Sequence, residues 1–381
     1  MKKDKNIAFI VSSPTTLVWL ESLINKLSLE YNVSVIANFN GSFLLKKELL
    51  DIVEVVTIPI VREINIFKDL KALILLFKFF SSKNFLIVHS ITPKAGLLAM
   101  ISSWACRTPI RIHTFTGQIW YTKSGLFRWI LKCFDSVIIF FSTFIQVDSF
   151  SQKSFLVKEG LVSEKNSFVI GKGSISGVDI TRFNERPSVR DKIRSDMNSE
   201  DKLIILYLGR LKKDKGILDL VEAFKILRNK SLKIDLWIVG PDEENLTPII
   251  SSVVGIKQIS YTSEPEAYMT SADIFCLPSY REGFGNVIIE SAACGVPSVV
   301  NEIYGLTDSV VKNKTGLFAK TRSVESLADT LEVLITDDSL RSELGRNAQK
   351  RARKDFSQKA HNDLQIDLYN KLQYEHFKGV N

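Results

Sequence analysis

Short, unbroken runs of apolar residues alternate with stretches of helical periodicity through the first half of the chain. The apolar runs lie at Ile7–Val11, Val33–Ile36, Val53–Ile58, Phe85–His89, Ile110–His113 and Val137–Val147. Helical periodicity occurs between several of them, at Leu17–Leu29, Asp69–Phe80 and Gly96–Ala105. This alternation is typical of parallel strands that are covered by helices on both faces.

The second half repeats the pattern. Its apolar runs lie at Leu203–Leu208, Ile234–Val239, Ile256–Ser260, Ile274–Leu277 and Ser298–Val300, with helices expected near 216–229, 264–271 and 285–294. A segment rich in glycine and turn-forming residues, Gly171–Asp191, separates the two halves. The residues after Lys359 predict an amphipathic tail helix whose apolar positions are Leu364, Ile366, Leu368 and Leu372.

The repeated pattern predicts an α/β fold of two doubly wound parallel-sheet domains, with residues 1–178 in the first and 179–359 in the second. Two such domains in tandem imply a cleft between them. Ligands of open parallel sheets bind beyond the carboxyl ends of the strands, so chemistry is expected in the loops that follow the strands.

The length of 381 residues fits two domains, and the net charge of +8 is unevenly distributed. Residues 1–180 contain 21 Lys and Arg against 13 Asp and Glu, whereas residues 181–381 contain 29 of each. The first half is therefore expected to meet an anionic membrane surface or a phosphorylated acceptor, with a solvated basic face as the alternative. No nucleic-acid partner is predicted, because zinc-finger spacing, a basic leucine-zipper region and RNA-binding aromatic motifs are all missing.

Cysteine usage and hydropathy bear on the compartment. The four cysteines, Cys106, Cys133, Cys276 and Cys294, are widely spaced and predict buried thiols in a reducing compartment. No apolar run approaches the roughly 20 residues of a membrane-spanning helix, and the N-terminal apolar stretch is too short for a signal-peptide core. We therefore expect a cytoplasmic protein.

Common nucleotide-binding motifs are missing from the strand ends, since neither GxGxxG nor GxxxxGK[ST] occurs. In the second half, however, the strand Leu203–Leu208 ends in Gly209 and Arg210, and Lys215 follows just before the next helix. A guanidinium fork, an ammonium group and the amides of a helix N-terminus suit phosphate oxygens. A solvated basic turn is the alternative.

The segment 272–297, ADIFCLPSYREGFGNVIIESAACGVP, carries two acids eight residues apart, Glu282 and Glu290. Glu282 is expected in the loop after a strand and Glu290 on the following helix, so that both can reach one bound molecule. Carboxylates accept hydrogen bonds from vicinal hydroxyls of a sugar or ribose. The Gly283-Phe284-Gly285 turn presents amides where a diphosphate would be stabilised. Two solvated glutamates beside a glycine turn are the alternative.

This stretch resembles the E-x7-E region of the family 4 retaining glycosyltransferases, which have the GT-B fold of two facing Rossmann-like domains. The resemblance covers nearly the whole chain. GRLKKDKG resembles the diphosphate-binding turn of the family, GSISGVDITRF its interdomain segment, and VHSITPKAGLLA the corresponding strand and helix of capsule and O-antigen assembly members. The tail, 360–381, resembles the crossover helix that returns to the first domain.

The resemblance implies a role for each motif residue. Catalytic roles fall to Glu282, Arg210 and Lys215: the two cations hold the donor diphosphate and Glu282 contacts the donor sugar. The donor-binding set implied is Gly209, Gly283, Phe284, Gly285, Asn286, Glu290 for the ribose hydroxyls, and Tyr261 near the base. The family needs no metal, and the sequence contains no DxD motif.

One departure from the family lies in the first domain. Relatives carry a histidine before a glycine near the donor sugar, whereas this chain has Thr116 before Gly117, with His113 three residues earlier. Thr116 can donate a hydrogen bond to a sugar hydroxyl but cannot carry a positive charge. His113 is expected either to pack at the strand end or to contact the sugar. Lys94 is the candidate ligand of an acceptor phosphate.

The implied enzyme is a retaining, metal-independent glycosyltransferase of O-antigen or capsule synthesis. It would move a hexose or N-acetylhexosamine from a nucleotide-diphosphate donor, expected to be UDP-linked, to a saccharide on polyprenyl diphosphate. The basic first half and the amphipathic Ile66–Phe80 stretch suit docking at the inner face of the cytoplasmic membrane. A helix that covers the sheet is the alternative for that stretch. A GT-B sugar-nucleotide epimerase, a phosphorylase, or a non-catalytic protein that binds sugar nucleotides or nucleic acid remain alternatives.

Overall fold

The computed structural model describes residues 5–39, 47–61, 64–230 and 232–378. These residues form two compact units. The first comprises the described parts of Met1–Gly171 and Ala360–Asn381, and the second comprises those of Lys172–Lys359. Each unit contains its own parallel sheet, which confirms the predicted α/β fold with two doubly wound sheets.

The sheet of the first unit has seven parallel strands among the described residues. They are β1 (Asn6–Ile10), β2 (Asn32–Ala37), β3 (Glu54–Thr57), β4 (Phe85–Ile91), β5 (Ile110–Phe115), β6 (Phe144–Val147) and β7 (Ser167–Phe168). Their order in the sheet is β3-β2-β1-β4-β5-β6-β7. The chain thus builds outward in one direction from β1 and then in the other from β4, as in doubly wound sheets.

Helices connect these strands. They are α1 (Thr15–Leu27), α2 (Lys47–Leu50), α3 (Ile66–Ser82), α4 (Pro93–Ala105), α5 (Gly125–Phe141) and α6 (Phe150–Lys158), with a short 3-10 helix at Ile119–Thr122. The side chain of Asn65 caps α3 by accepting a hydrogen bond from the Lys68 amide. Helix α4 packs against both α3 and α5. The three helices therefore form one layer.

The sheet of the second unit has six parallel strands among the described residues. They are β8 (Leu203–Leu208), β9 (Ile234–Val239), β10 (Ile256–Ile259), β11 (Ile274–Leu277), β12 (Ser298–Asn301) and β13 (Gly316–Ala319), in the order β10-β9-β8-β11-β12-β13. Every residue of β9 is buried, as expected for a strand covered on both faces. Its one acid, Asp235, is neutralised by Lys202 and Lys257 at 2.9 and 3.0 Å.

Eight α-helices and a short 3-10 helix at Lys213–Lys215 lie in the described part of the second unit. The α-helices are α7 (Pro187–Asp196), α8 (Ile217–Asn229), α9 (Thr247–Ser251), α10 (Pro265–Ser271), α11 (Asn286–Ala293), α12 (Leu306–Ser309), α13 (Val324–Thr336) and α14 (Asp338–Asp355). Helix α15 (Gln358–Lys378) then carries the chain from the second unit into the first.

One predicted strand is wrong. The apolar run Val137–Val147 is split: residues up to Phe141 end helix α5, and only Phe144–Val147 form strand β6. The run is continuous because the outer face of α5 is apolar, which removes the polar positions that normally indicate a helix. Backbone bonds from the Ser142 amide to Ile138 and Ile139 close the helix.

The structure places the unit boundary at Gly171/Lys172, seven residues before the division suggested at 178. Val178 forms an isolated parallel bridge with Ser357, and its amide donates to the Phe356 carbonyl at 2.7 Å. Gly177 has a φ of +65°, and a Cβ there would lie 2.6 Å from the Phe356 oxygen. These bonds hold the start of the interdomain segment in the second unit.

The tail helix forms as predicted, but its buried face is largely polar. Leu372 is buried, whereas Leu364 is exposed and Ile366 and Leu368 are only partly buried. The phenol of Tyr369 is instead hydrogen-bonded to the His89 imidazole at 2.6 Å. Further polar contacts join Gln373 to Tyr31 and Asn362 to Ser22. Hydrogen bonds, rather than an apolar stripe, fix how α15 packs.

The structure also bears on the predictions about the four cysteines and about membrane-spanning helices. Cys276 and Cys294 are buried free thiols, but Cys106 and Cys133 are partly exposed, which corrects the prediction that all four are buried. Within the described ranges, no helix combines the length and the apolar character needed to cross a bilayer.

Candidate functional site

The loops after β8 and β11 meet at the point where the strand order of the second sheet reverses. Strands β8 and β11 are neighbours, and the chain builds one side of the sheet from β8 and the other from β11. Such a topological switch point leaves a crevice beyond the carboxyl ends of the strands. Arg210 and Lys215 lie in the first loop, and Glu282 lies in the second.

Glycines bring these two loops into direct contact. Gly216 has a φ of +67°, and a Cβ at this position would lie 2.0 Å from the carbonyl oxygen of Pro278. A Cβ on Gly240, which follows β9, would likewise lie 2.0 Å from the Gly209 oxygen. Only glycine allows backbones to approach so closely. The predicted diphosphate turn is therefore packed between the loops that follow β9 and β11.

Lys215 and Glu282 form an ion pair in this region. The Lys215 Nζ lies 2.5 Å from the Glu282 Oε1, which also accepts a hydrogen bond from the Ser279 hydroxyl at 3.0 Å. Both charged side chains are largely buried, with about 15% of each exposed. A paired and hydrogen-bonded carboxylate of this kind is held in one orientation. Two of the three proposed catalytic residues are thus brought together.

A second ion pair holds the same two loops. Asp214, next to Lys215, accepts a bond from Arg281, next to Glu282, at 3.1 Å. The Asp214 carbonyl also accepts a bond from the Tyr280 amide at 2.9 Å, and the Tyr280 hydroxyl donates to Asp219 at 2.7 Å. We call Asp214, Tyr280 and Arg281 the loop clamp. Because Asp214 adjoins Lys215 and Arg281 adjoins Glu282, the clamp fixes the backbone next to both members of the ion pair.

The loop after β12 supports the Glu282 segment from the other side. The Asn301 amide group donates to the Pro278 carbonyl at 2.6 Å. Gly305 has a φ of +83°, and a Cβ there would lie 2.6 Å from the Gly283 carbonyl oxygen. The residues carrying Glu282 are therefore held by contacts from the loops that follow β8 and β12.

Arg210 pairs with the loop after β9 rather than with the Lys215–Glu282 pair. Its guanidinium is partly exposed and lies 3.2 Å from Glu243, which also binds Lys212. The buried phenol of Tyr207 donates to the Arg210 carbonyl at 2.8 Å. Burial raises the pKa of Tyr207, the negative charges of Glu282 and Asp214 raise it further, and Arg210 opposes them. Tyr207 therefore lies within the electrostatic reach of both loops.

The start of helix α11 presents backbone rather than side chains. Gly285, the N-cap, has a φ of +83°. Phe284 is buried and its ring packs 5.3 Å from that of Phe356. The Asn286 side chain is also buried, accepting from Ser174 at 2.9 Å and donating to Ser176 at 3.1 Å. Phe284 and Asn286 can therefore offer a ligand only their backbone groups.

Glu290 lies one turn further along α11, in a separate charged group. Burial raises the pKa of Glu290 to about 7, the positive charge of Arg182 opposes this rise, and Glu266 adds to it. Arg182 is itself paired with Glu266 at 2.8 Å. Because the guanidinium of Arg182 is hydrogen-bonded to Glu266, the carboxyl group of Glu290 can accept hydrogen bonds from the hydroxyl groups of a ligand. Tyr261, the candidate near the base, lies exposed after β10.

The first unit places its candidate residues differently. His113 is fully buried on β5, with its Nδ1 hydrogen-bonded to the Ser90 hydroxyl at 2.8 Å. Burial lowers the pKa of His113 to about 3, and nearby His89 adds to the effect. A Cβ on Gly96 would lie 2.4 Å from the ring, so the imidazole fills the space beside helix α4. This arrangement favours the packed strand-end interpretation of His113.

The other first-unit candidates lie nearer the surface. Thr116 is partly exposed and precedes Gly117, which has a φ of +99°. Lys94, at the start of α4, is bound by both carboxylate oxygens of Asp69 at 3.0 Å. A phosphate at Lys94 would therefore have to compete with a carboxylate that already balances its charge.

The structure brings some of the predicted site residues into contact and gives others different partners. Lys215 and Glu282 are paired, Arg210 occupies the same switch point, and Glu290 lies in its own cluster with Arg182. The supporting residues found only in the structure are Tyr207, Asp214, Glu243, Tyr280, Arg281, Asn301 and Gly305. In the described part of the chain, no three His, Cys, Asp or Glu residues are grouped as a metal site.

Comparison with known proteins identifies similar sequences. The sequence profile described as "Glycosyl transferases group 1" matches residues 189–351. The chain is 33% identical over 307 residues to the capsular polysaccharide biosynthesis glycosyltransferase CapM of Staphylococcus aureus, which covers 79% of this chain and 80% of CapM. It is 24% identical over 362 residues to the UDP-Gal:alpha-D-GlcNAc-diphosphoundecaprenol alpha-1,3-galactosyltransferase of Escherichia coli, covering 89% of each.

A solved structure provides a similar fold. HepE of Anabaena, in complex with UDP and glucose, superimposes with a TM-score of 0.80 at 18% identity. The likeness covers 96% of this chain and 100% of HepE. At this identity, the comparison concerns the fold alone.

Proposed function

The chain belongs to the glycosyl transferases group 1 family, and from this premise we propose which transfer it carries out. Its two parallel-sheet units have the GT-B fold expected from the resemblance. The proposed reaction moves a hexose or N-acetylhexosamine from a UDP-linked donor to a saccharide carried on polyprenyl diphosphate, in bacterial capsule or O-antigen synthesis. The names of CapM and of the Escherichia coli galactosyltransferase support this assignment.

The observation that carries the proposal is the Lys215–Glu282 pair at the switch point of the second sheet. A solvated basic turn would not need a largely buried lysine, held at 2.5 Å by a carboxylate that is itself fixed by Ser279. The pairing positions both a cation for phosphate and an acceptor for sugar hydroxyls. A protein that only binds a nucleotide has no need to place the acid beside the cation.

In the proposed mechanism, Arg210 and Lys215 contact the donor diphosphate by exchanging their bonds with Glu243 and Glu282. The bond between the anomeric carbon and the phosphate oxygen breaks, and the acceptor hydroxyl attacks from the same face, so the configuration is retained. The departing phosphate oxygen accepts the hydroxyl proton. Negative charge grows on that oxygen as the bond breaks, and fixed cations stabilise it without reorganisation. Glu282 and the backbone of Gly283–Asn286 orient the sugar.

The remaining donor contacts and the absence of a metal are part of the same proposal. Glu290 accepts hydrogen bonds from the ribose hydroxyls, Tyr261 lies beside the base, and Gly209 allows the diphosphate to approach the backbone. Arg210 and Lys215 supply the positive charge that a divalent metal provides in other transferases, so no metal is required. Full activity after treatment with a chelator supports this point, and activity restored only by Mg²⁺ or Mn²⁺ contradicts it.

The first unit is proposed to bind the acceptor and the membrane. Thr116 and Gly117 contact the sugar, in place of the usual histidine, and Lys94 contacts an acceptor phosphate by exchanging its bond with Asp69. The excess of basic residues in the first half and the exposed lysines of α3 support attraction to anionic lipid at the cytoplasmic face of the membrane. Salt-sensitive sedimentation with anionic vesicles tests this electrostatic attraction.

A donor screen tests the transfer itself. Purified protein is incubated with individual nucleotide sugars and a synthetic polyprenyl-diphosphate saccharide, and nucleotide release and the extended lipid product are measured. We expect one UDP-sugar to give a product that depends on the acceptor. Conversion of a UDP-sugar to its epimer without acceptor, or donor binding without any product, would instead support an epimerase or a binding protein.

A further inference from the structure

Helix α5 has its charged residues on the inside. Arg128 and Lys132 both turn toward the body of the unit, where they bind the two carboxylate oxygens of Glu159 at 2.8 and 2.7 Å. Asp135 is buried and accepts a hydrogen bond from the Trp120 indole at 2.7 Å. These three are all the charged residues of the helix. The charged side chains of α5 are therefore bonded to groups within the first unit.

The exposed side of α5 is apolar except at Ser136. Leu126, Trp129 and Phe140 are 72%, 63% and 77% exposed, and Phe127 and Phe134 are exposed as well. Leu126, Trp129, Cys133, Val137 and Phe140 recur every three or four residues, which places them on one side of a helix. A helix of this kind is the reverse of an ordinary surface helix, whose apolar side faces the core. Its outer side requires an apolar partner.

Helix α3, in the same helix layer, extends the apolar surface. Its residues Ile66, Phe67, Leu70, Ile74 and Phe77 are exposed on one side. Trp104, at the end of the intervening helix α4, is half exposed, and its ring lies 4.9 Å from that of Phe141 on α5. The layer therefore offers aromatic and aliphatic side chains on all three helices.

The charges on this layer identify the partner as a lipid surface. Lys68, Lys71 and Lys78 of α3 are exposed, and so is Lys123 just before α5. The three helices contain only two acidic residues, and neither is a free surface carboxylate, because Asp69 binds Lys94 and Asp135 is buried. Exposed Trp, Phe and Leu residues together with exposed lysines fit the boundary between anionic headgroups and acyl chains.

We propose that helix α5 lies in the headgroup–acyl boundary of an anionic bilayer, with the Leu126–Trp129–Phe140 face inserted and the α3 lysines at the headgroups. This inference rests on the proposed membrane partner and adds an apolar anchor to it. Electrostatic attraction alone is lost at high salt, whereas insertion of apolar side chains is not. The two contributions can therefore be separated by salt.

The test compares the full chain with two triple variants on vesicles of phosphatidylcholine containing phosphatidylglycerol. One variant combines Leu126→Ser, Trp129→Ser and Phe140→Ser. The matched control combines Leu29→Ser, Val254→Ser and Tyr374→Ser, which remove equally exposed apolar side chains elsewhere. At 0.5 M salt, we expect the α5 variant to lose about tenfold or more of its partitioning, while the control binds like the unmodified chain. Circular dichroism checks that all three are folded.

A second measurement does not depend on removing the anchor. Vesicles containing brominated phosphatidylcholine should quench the tryptophan fluorescence of the chain, and Trp129→Phe should lose the share of that quenching that Trp129 contributes while it still binds. The proposal is overturned if both triple variants bind alike at high salt. It is also overturned if the unmodified chain is a dimer that the α5 variant dissociates and that does not bind vesicles. Neither readout uses a donor sugar, so a failed transferase assay leaves this test unaffected, and the reverse is also true.

Discussion

The two sheets of this protein place their titratable side chains differently. The end of the second sheet carries charged side chains, Arg210, Lys215 and Glu282, on loops that glycines bring together. In the first unit, the neighbouring strands β4 and β5 carry the buried, uncharged His89 and His113, and the Lys94–Asp69 ion pair joins helices α4 and α3 rather than two strand-end loops. One topology thus supports a charged site in one unit and buried, neutral histidines in the other. The side chains, not the fold, decide where chemistry is possible.

The two halves also show that the net charge of a region does not indicate where charged side chains are concentrated in a site. Residues 181–381 contain equal numbers of basic and acidic residues, yet this region holds the concentrated site, whereas the excess of +8 lies in residues 1–180. In the second unit, ion pairs orient individual cations. In the first, exposed lysines such as Lys68, Lys71 and Lys78 create a broad field suited to an extended anionic surface.

The largest effect is expected from the Lys215–Glu282 pair. Glu282→Gln and Lys215→Met should each reduce turnover by about 100-fold or more, because each removes a fixed contact to charge that develops in the transition state. Steady-state assays of nucleotide release with the lipid-linked acceptor give the rates. Lys213→Met is the matched control, since Lys213 is an exposed lysine of the same loop. Full activity in either the Glu282 or the Lys215 variant would contradict the assignment of the active site to this pair in the second unit.

Gly216 tests whether close contact between the loops matters. Gly216→Ala meets both a left-handed φ of +67° and the Pro278 oxygen, whereas Gly160→Ala in the first unit meets a similar φ of +73° with open space around it. Each substitution should cost about 1 kcal/mol of folding free energy from backbone strain. Only Gly216→Ala should also lower turnover, by about tenfold or more, because it moves Lys215 relative to Glu282. Equal activity in both variants would show that the loop contact is unimportant.

The sequence predicts the charged residues of the site better than the residues that hold them in place. Arg210, Lys215 and Glu282 are recognisable because each follows a short apolar run within a few residues, and parallel strand ends meet at one edge. Asn301 and Gly305 support the same loop from β12, but nothing near them in the sequence indicates this, because the contact depends on which strands become neighbours.

The same reasoning explains the errors in the first unit. Periodicity assumes that polar residues face water. Helix α5 reverses this rule, so the pattern predicts a strand over Val137–Val147 where part of the helix lies. The tail helix breaks the rule in a second way, since Tyr369 and Gln373 are buried by hydrogen bonds to His89 and Tyr31. In both cases, polar side chains find internal partners that hydropathy does not reveal.

Glu290 should give donor binding a pH dependence. Its pKa of about 7 means that the carboxyl group is largely protonated below that value in the free protein. Hydroxyl groups of a ribose bind the ionised form better, so donor binding should release a proton. We expect the donor KM to rise by up to about tenfold per pH unit as pH falls below 7. Glu290→Gln should flatten this profile with a higher KM at pH 8, and an unchanged profile would exclude Glu290 from donor binding.

The smallest effect, and the sharpest contrast between the units, concerns stability. His89 and His113 have pKa values lowered to about 3, so their contribution to the first unit is present above about pH 6.5 and is lost as pH falls toward 3. The raised pKa of Glu290 acts oppositely, and its contribution to the stability of the second unit is lost as pH rises from about 4.5 to 7.

Hydrogen exchange of β4–β5 and β8–β11 amides between pH 5 and 7, in the unmodified chain and in His113→Gln and Glu290→Gln, separates the two contributions. Each substitution should flatten the pH dependence of its own unit by up to about 1.4 kcal/mol per pH unit, with opposite signs. Because every other titrating group is common to a variant and its parent, the same sign in both differences would contradict the assignment of a neutral histidine and a neutral glutamic acid to the two sheets.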